Sequence, residues 1–200
     1  MALKPMAVCH GGALLARQRG QLRLPWRLRL VPICGSTEDL LSVWLATGVP
    51  LPVAVLARRQ RQGRGQHGRR WQSPAGGLWL SAALPWGGAA PEAERLPLLV
   101  VEALAAELGL LGLETSIKPP NDLMVANRKL AGVLTAIQWR GGKIRHVRFG
   151  LGLNGRHPIR PPGVTLEQLL GPRCPPWPCL VGLGLRALER LCPETFDPKH

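Results

Sequence analysis

Three stretches of the chain carry residue types that can do chemistry. The first is Gln62 to Leu80, QGRGQHGRRWQSPAGGLWL. Gly63, Gly65 and Gly68 alternate with Arg64, Arg69 and Arg70, ahead of Trp71, Ser73 and Pro74. Glycine lets a backbone approach a ligand closely. Arginine offers a planar donor fork suited to phosphate and carboxylate. No acidic residue lies between Leu40 and Pro91, so nothing nearby in sequence cancels that charge. Such a loop can close over an anion. An Arg/Gly-rich run also suits a disordered basic linker, but linkers seldom lead into a tryptophan and a strand-like apolar segment.

The second stretch is Lys118 to Leu134, KPPNDLMVANRKLAGVL. Lys118 ends an extended run before a rigid Pro-Pro and a polar Asn121-Asp122 turn. An ammonium held there can sit over a reacting carboxyl-phosphate centre, although most lysines are simply solvated. The third is Phe149 to Asn154, FGLGLN. Two glycines alternating along a strand bare one face, on which a ligand can lie. A bulge or a tight helix–sheet contact explains two glycines equally simply, and for the glycines alone it is the better explanation.

The composition limits what these stretches can belong to. With 200 residues, 46% of them hydrophobic and 19% charged, the chain is long and apolar enough for one domain with a full core. Its net charge of +14, from 26 Lys and Arg against 12 acids, favours an anionic partner. Tyrosine is absent and phenylalanine occurs twice, which argues against stacking on single-stranded bases and against nucleic acid as the partner. The five cysteines form no CxxC pair and lack metal-ligand spacing, as expected of reduced thiols in a cytoplasmic protein. No apolar run approaches the roughly 20 residues that cross a bilayer.

The elements that must position the three stretches read as follows. Residues 1–23 are an irregular, basic lead-in. Leu24–Ile33 alternates as a half-buried strand. Ser36 and Asp39 resemble a capping box for a helix running to Gly48. Val53–Ala57 is a buried strand that delivers the chain into the Arg/Gly loop, and Leu78–Leu84 returns from it. A helix begins at Pro91 and ends at Gly109. Leu113–Lys118 is extended, Leu123–Ala126 and Lys129–Trp139 form a hairpin around Asn127, and Gly141-Gly142 turns into a strand over Lys143–Leu153. Short helices follow near Thr165–Leu170 and Leu180–Leu191. The expected class is α+β: a mixed, largely antiparallel sheet with helices packed mainly on one face.

In this order the stretches resemble the biotin protein ligase family. Its pattern is a Ser-Thr pair opening a helix, then GRGRxGRxWxSPxGxxLxxS, KWPNDL, KxxGILxE and GxGxN. The counterparts are Ser36-Thr37, Gly63 to Ser81, Lys118 to Leu123, Lys129 to Leu134 and Gly150 to Asn154, so the resemblance covers residues 24 to 156. It implies a ligase that joins biotin to ATP, with magnesium, as biotinyl-5′-AMP, and passes the biotin to a lysine of the biotin carboxyl carrier protein of acetyl-CoA carboxylase. By the same resemblance Lys118 and Arg64 are catalytic. Ser36, Thr37, Gln60, Gly150 and Gly152 contact biotin. Glu38, Gly63, Gly65, Gln66, Arg69 and Trp71 join Asn121, Gly132 and Asn154 around the adenylate. Magnesium ligands are not identified.

The chain departs from the pattern at four places. The second loop arginine is Gln66, which weakens the expected hold on the adenylate. The tryptophan of KWPNDL is Pro119, the Asn after Ser-Thr is Glu38, and the Glu of ILxE is Ala136. Residues 24–200 are expected to form the catalytic domain, with no DNA-binding domain before it and no complete C-terminal β-barrel after it. A lipoate or octanoate transferase and a non-enzymatic basic module are the alternatives; the GRGxxGRxWxSP loop disfavours the first.

Overall fold

The computed structural model describes residues 9–16, 18, 20–87 and 90–192. Eight strands form one sheet: β1 (Cys9–His10), β2 (Arg27–Cys34), β3 (Val53–Gln60), β4 (Leu78–Leu84), β5 (Ser116–Lys118), β6 (Asp122–Val125), β7 (Arg128–Arg140) and β8 (Lys143–Leu153). Their spatial order is β1-β2-β3-β4-β8-β7-β6-β5. β2 and β3 run parallel and every other neighbouring pair is antiparallel. The parallel pair requires a crossover, and the helix α2 (Thr37–Ala46) supplies it. The remaining helices are α1 (Gly12–Ala16), α3 (Ala90–Glu94), α4 (Leu96–Gly109), α5 (Leu166–Leu170) and α6 (Trp177–Glu189). No helix among the described residues is long and apolar enough to cross a membrane.

Alternation along the strands divides the helices between two faces. Ala54, Leu56, Leu80, Ala82 and Leu84 point into the main core, with Leu104 and Leu108 of α4 and Leu185 and Leu188 of α6. Their neighbours Val53, Val55 and Ala83 point the other way and pack under Leu41 and Trp44 of α2. The mixed sheet with one principal helical layer is therefore as expected, and α2 covers part of the opposite face. The functional stretches open onto that second face.

Two tight turns set the long hairpins. Ala126 and Asn127 both have positive φ (47° and 59°), as do Gly141 and Gly142 (58° and 74°). Two consecutive left-handed residues match the right-handed twist of flanking strands, so each turn fixes its register.

Four expectations need correction. The helix expected over 91–109 is two, because Pro97 has no N–H to give and α4 restarts with proline in its first turn. Asp39 does not complete a capping box. Ser36 Oγ caps α2 by accepting from Glu38 N at 3.2 Å, and Asp39 pairs with Arg64 instead. The last helix begins earlier, at Trp177.

The lead-in is also not irregular where it is described. β1 pairs with β2, and Gln18 is buried, with its Nε2 donating to Pro178 O at 2.9 Å. The buried carboxylate of Glu189 on α6 accepts from Arg23 N, Leu24 N and Trp26 Nε1 at 2.8–3.0 Å. A carboxylate satisfied by three donors holds its segment firmly, but a pairing 163–166 residues away leaves no local signature.

Candidate functional site

A cavity of about 300 Å³ opens between the N-terminus of α2, the loop after β3, and the floor made by β4, β8 and β7. The register sets the floor. Ser81 lies beside Gly150, Gly150 beside Leu134, and Gly152 beside Gly132, on the same face as Val55 and Ala83.

One end is a hydrogen-bonded polar wall. Gln60 Oε1 accepts from Thr37 N at 2.8 Å and Thr37 Oγ1 at 3.0 Å. Gln60 Nε2 donates to Ser73 Oγ at 2.9 Å, and Thr37 Oγ1 lies 2.8 Å from Ser81 Oγ. These contacts lock the Gln60 amide in one orientation and hold β3, β4, α2 and the loop together. Ser36, Thr37 and Glu38 also bring the first turn of α2 to the cavity, where the helix dipole favours negative charge, while the Thr37 and Glu38 N–H groups are taken by Gln60 Oε1 and Ser36 Oγ.

The other end combines cations with an aromatic ring. The loop folds on itself as a small hairpin, with Gly65 N donating to Arg69 O at 2.7 Å and Trp71 N to Gly63 O at 2.9 Å. It lays the Trp71 indole on the floor. A Cβ built at Gly152 would come within 2.6 Å of that ring, and one at Gly132 within 3.0 Å. Both floor positions must lack a side chain for the ring to lie there. Trp71 Nε1 is buried without an acceptor among the described residues, which leaves a donor for a ligand. Lys129 Nζ stands 5.0 Å from the Trp71 ring centroid and pairs with Asp122 Oδ1 at 2.6 Å. Asn121 Nδ2 donates to Val133 O at 2.7 Å, which holds the start of β6 against β7.

Of the expected site residues, the cavity brings together Ser36, Thr37, Glu38, Gln60, Arg64 and Gly65, then Gln66, Arg69, Trp71 and Asn121, and the floor glycines Gly132, Gly150 and Gly152. Three lie elsewhere. Gly63 lines a second, more open concavity walled by the loop itself. It is glycine because a Cβ there would meet Ser73 Oγ and Trp71 O at 2.5 Å. Asn154 is buried and structural: its Nδ2 donates to Lys129 O at 3.1 Å, and its carbonyl accepts from Leu166 N. Lys118 ends β5, exposed, and does not line the cavity. Arg64 reaches the rim, where its guanidinium pairs with Asp39 at 2.5 Å and both side chains are half exposed.

The polar lining residues missed were Asp122, Lys129, Arg70 and Ser81. Lys129 carried a usable signal, standing three residues before a floor glycine. A strand pairing was needed to put it opposite Trp71.

Layout and sequence agree with what is known of related proteins. The sequence profile of the Biotin/lipoate A/B protein ligase family matches residues 31–154, and the chain belongs to that family. Among curated proteins it is 31% identical over 124 residues to the bifunctional ligase/repressor BirA of Bacillus spizizenii, covering 61% of this chain and 38% of that protein. It is 36% identical over 113 residues to the biotin–[acetyl-CoA-carboxylase] ligase of Paracoccus denitrificans, covering 55% and 47%. The chain thus spans half or less of the length of these relatives. Among solved structures it resembles a biotin protein ligase of Aquifex aeolicus in complex with biotin and ATP. There the TM-score is 0.67 at 27% identity, over 82% of this chain and 69% of that one.

Proposed function

We propose that the chain is an ATP-dependent ligase that activates biotin as biotinyl-5′-AMP and transfers it to a lysine of a biotin carboxyl carrier protein. A single observation carries this reading. One cavity joins a fixed hydroxyl–amide wall suited to a small polar head with a cation and aromatic end suited to a nucleotide phosphate.

In the first step a carboxylate oxygen of biotin attacks the α-phosphorus of ATP, and the bond to the departing pyrophosphate breaks. In the second, the neutral ε-amine of the acceptor attacks the acyl carbon. The amide forms, the acyl–oxygen bond breaks, and AMP leaves. In the first step charge passes from the carboxylate to the phosphoryl oxygens and the departing pyrophosphate, in the second it gathers on the acyl oxygen, and a fixed cation stabilises it without reorganising. Lys129 is the lysine in place for that role, held by Asp122 and by the face of Trp71. Arg69 and Arg70 add donors at the phosphate, and the indole offers a flat apolar platform for a purine. The folded loop limits the access of water to the mixed anhydride.

Among the described residues no group of three or more His, Cys, Asp or Glu stands ready to hold a metal by itself, so a magnesium ion would come with the ATP phosphates and use one or two carboxylates. The two cavity carboxylates, Glu38 and Asp122, are each paired with a cation.

The test is ATP–pyrophosphate exchange with and without biotin, followed by biotin transfer to a purified carrier domain. Exchange that requires biotin is expected; exchange that ignores it overturns the proposal.

A further inference from the structure

At one end of the cavity a residue of the lining is held in an ion pair with a residue outside the lining. Glu38, in the first turn of α2, lines the cavity. Arg148 stands on β8 two residues before Gly150 and on the same face. The register aligns Ala83, Arg148 and Ala136 as it aligns Ser81, Gly150 and Leu134. Glycine at 150 leaves the floor bare, and arginine at 148 raises a side chain where the floor ends. Its guanidinium reaches α2 and donates to the Glu38 carboxylate, to Glu38 O at 3.3 Å and to Ser42 Oγ at 2.6 Å. The two side chains are only 18% and 24% exposed, so water is largely withdrawn from the pair. Arg148 Nε is buried with no acceptor among the described residues.

We propose that the Glu38–Arg148 pair determines acyl specificity, by presenting to the cavity, through Glu38, hydrogen-bonding charge that a compact polar ring satisfies and a plain alkyl chain does not. The inference rests on the ligase reading above. A partly buried ion pair is tolerated only while its remaining donors and acceptors have partners. A cyclic urea brings two N–H donors and a carbonyl acceptor to such a wall. An octanoyl chain brings methylenes, displaces the water and replaces none of its hydrogen bonds. Discrimination then comes from a penalty on the wrong ligand as much as from attraction to the right one.

The experiment uses the full chain and measures pyrophosphate exchange with biotin or octanoate as the acid, with kcat and KM separated. The parent is expected to prefer biotin. Glu38→Leu with Arg148→Leu should narrow the biotin-over-octanoate ratio of kcat/KM by roughly 10- to 100-fold, mainly through a lower KM for octanoate. Arg148→Lys, which keeps the charge, should hold the ratio near the parental one. Glu38→Gln with Arg148→Gln, which also removes both charges, should move it in the same direction as the double Leu variant, and it stands in should circular dichroism show that variant unfolded. An unchanged ratio in a folded, active Leu or Gln variant overturns the role of the pair and leaves the ligase reading intact. A parent that uses octanoate as readily as biotin overturns it too. A parent with no exchange on either acid overturns both readings.

Discussion

Lys129 and Lys118 divide the site at the level of single residues. The sequence-level resemblance assigned the cation at the reacting centre to Lys118 and did not single out Lys129. Only Lys129 lines the cavity, with its ammonium 2.6 Å from Asp122 and over the Trp71 ring. Loss of one charge-assisted hydrogen bond costs about 1.5–3 kcal/mol, or roughly 10- to 150-fold in rate. Lys129→Met is therefore expected to lower the rate of biotin-dependent pyrophosphate exchange by about that factor, and Lys118→Ala to lower it far less. The reverse order would return the role to Lys118. His146 on β8 gives a second residue-scale prediction. Its pKa lies below the ordinary 6.5, because of burial first and then Arg145 and Arg148. The unfolded chain therefore takes up a proton near 6.5 that the folded chain resists. Stability should fall as pH drops below about 6.5, and His146→Asn should flatten that fall in urea titrations at pH 7 and pH 5. Equal slopes in both proteins would show that the loss arises elsewhere.

The loop and the β7–β8 floor make one device at the level of elements. The loop carries Trp71, and the floor carries the two glycines that let the ring lie flat. Gly152→Ala places a Cβ about 2.6 Å from the indole, closer than such atoms approach, so the ring must lift and the loop with it. The expected result is faster protease cleavage between Arg64 and Arg70 and a higher KM for ATP, with the melting temperature little changed. Cleavage at the parental rate would mean that the ring has another seat. The glycines were visible in the sequence as bare positions on a strand. That an indole of the same chain occupies part of that face was not, because the loop is separated from β8 by some eighty residues.

At the level of the whole molecule, the charge of +14 acts at a distance. Arg61, Arg69 and Arg70 are exposed around the loop, and none of them has an acidic partner among the described residues. A field of this sign speeds the approach of an acidic acceptor and is screened by salt within about 10 Å at 0.1 M. Raising the salt concentration should therefore lower kcat/KM for the carrier protein several-fold while changing biotin-dependent pyrophosphate exchange little. Equal salt slopes for the two would show that the field plays no part in acceptor capture.

What the sequence determined by itself was local. An apolar run defined β4 to its end residues, and the left-handed propensity of Asn127 and of Gly141-Gly142 placed both hairpin turns. The Ser36 cap marked the start of α2, and the Arg/Gly loop announced an anion site. These signals depend on neighbours a few residues apart, and they survive without a fold. The tertiary structure decided which residues meet. It brought Lys129 into the cavity and left Lys118 outside, gave Asp39 to Arg64 and Glu38 to Arg148, and tied the lead-in to α6 through Glu189. Each of those choices pairs groups far apart in the chain. Sheet register and helix packing set the distance between such groups, and residue type and spacing do not encode it.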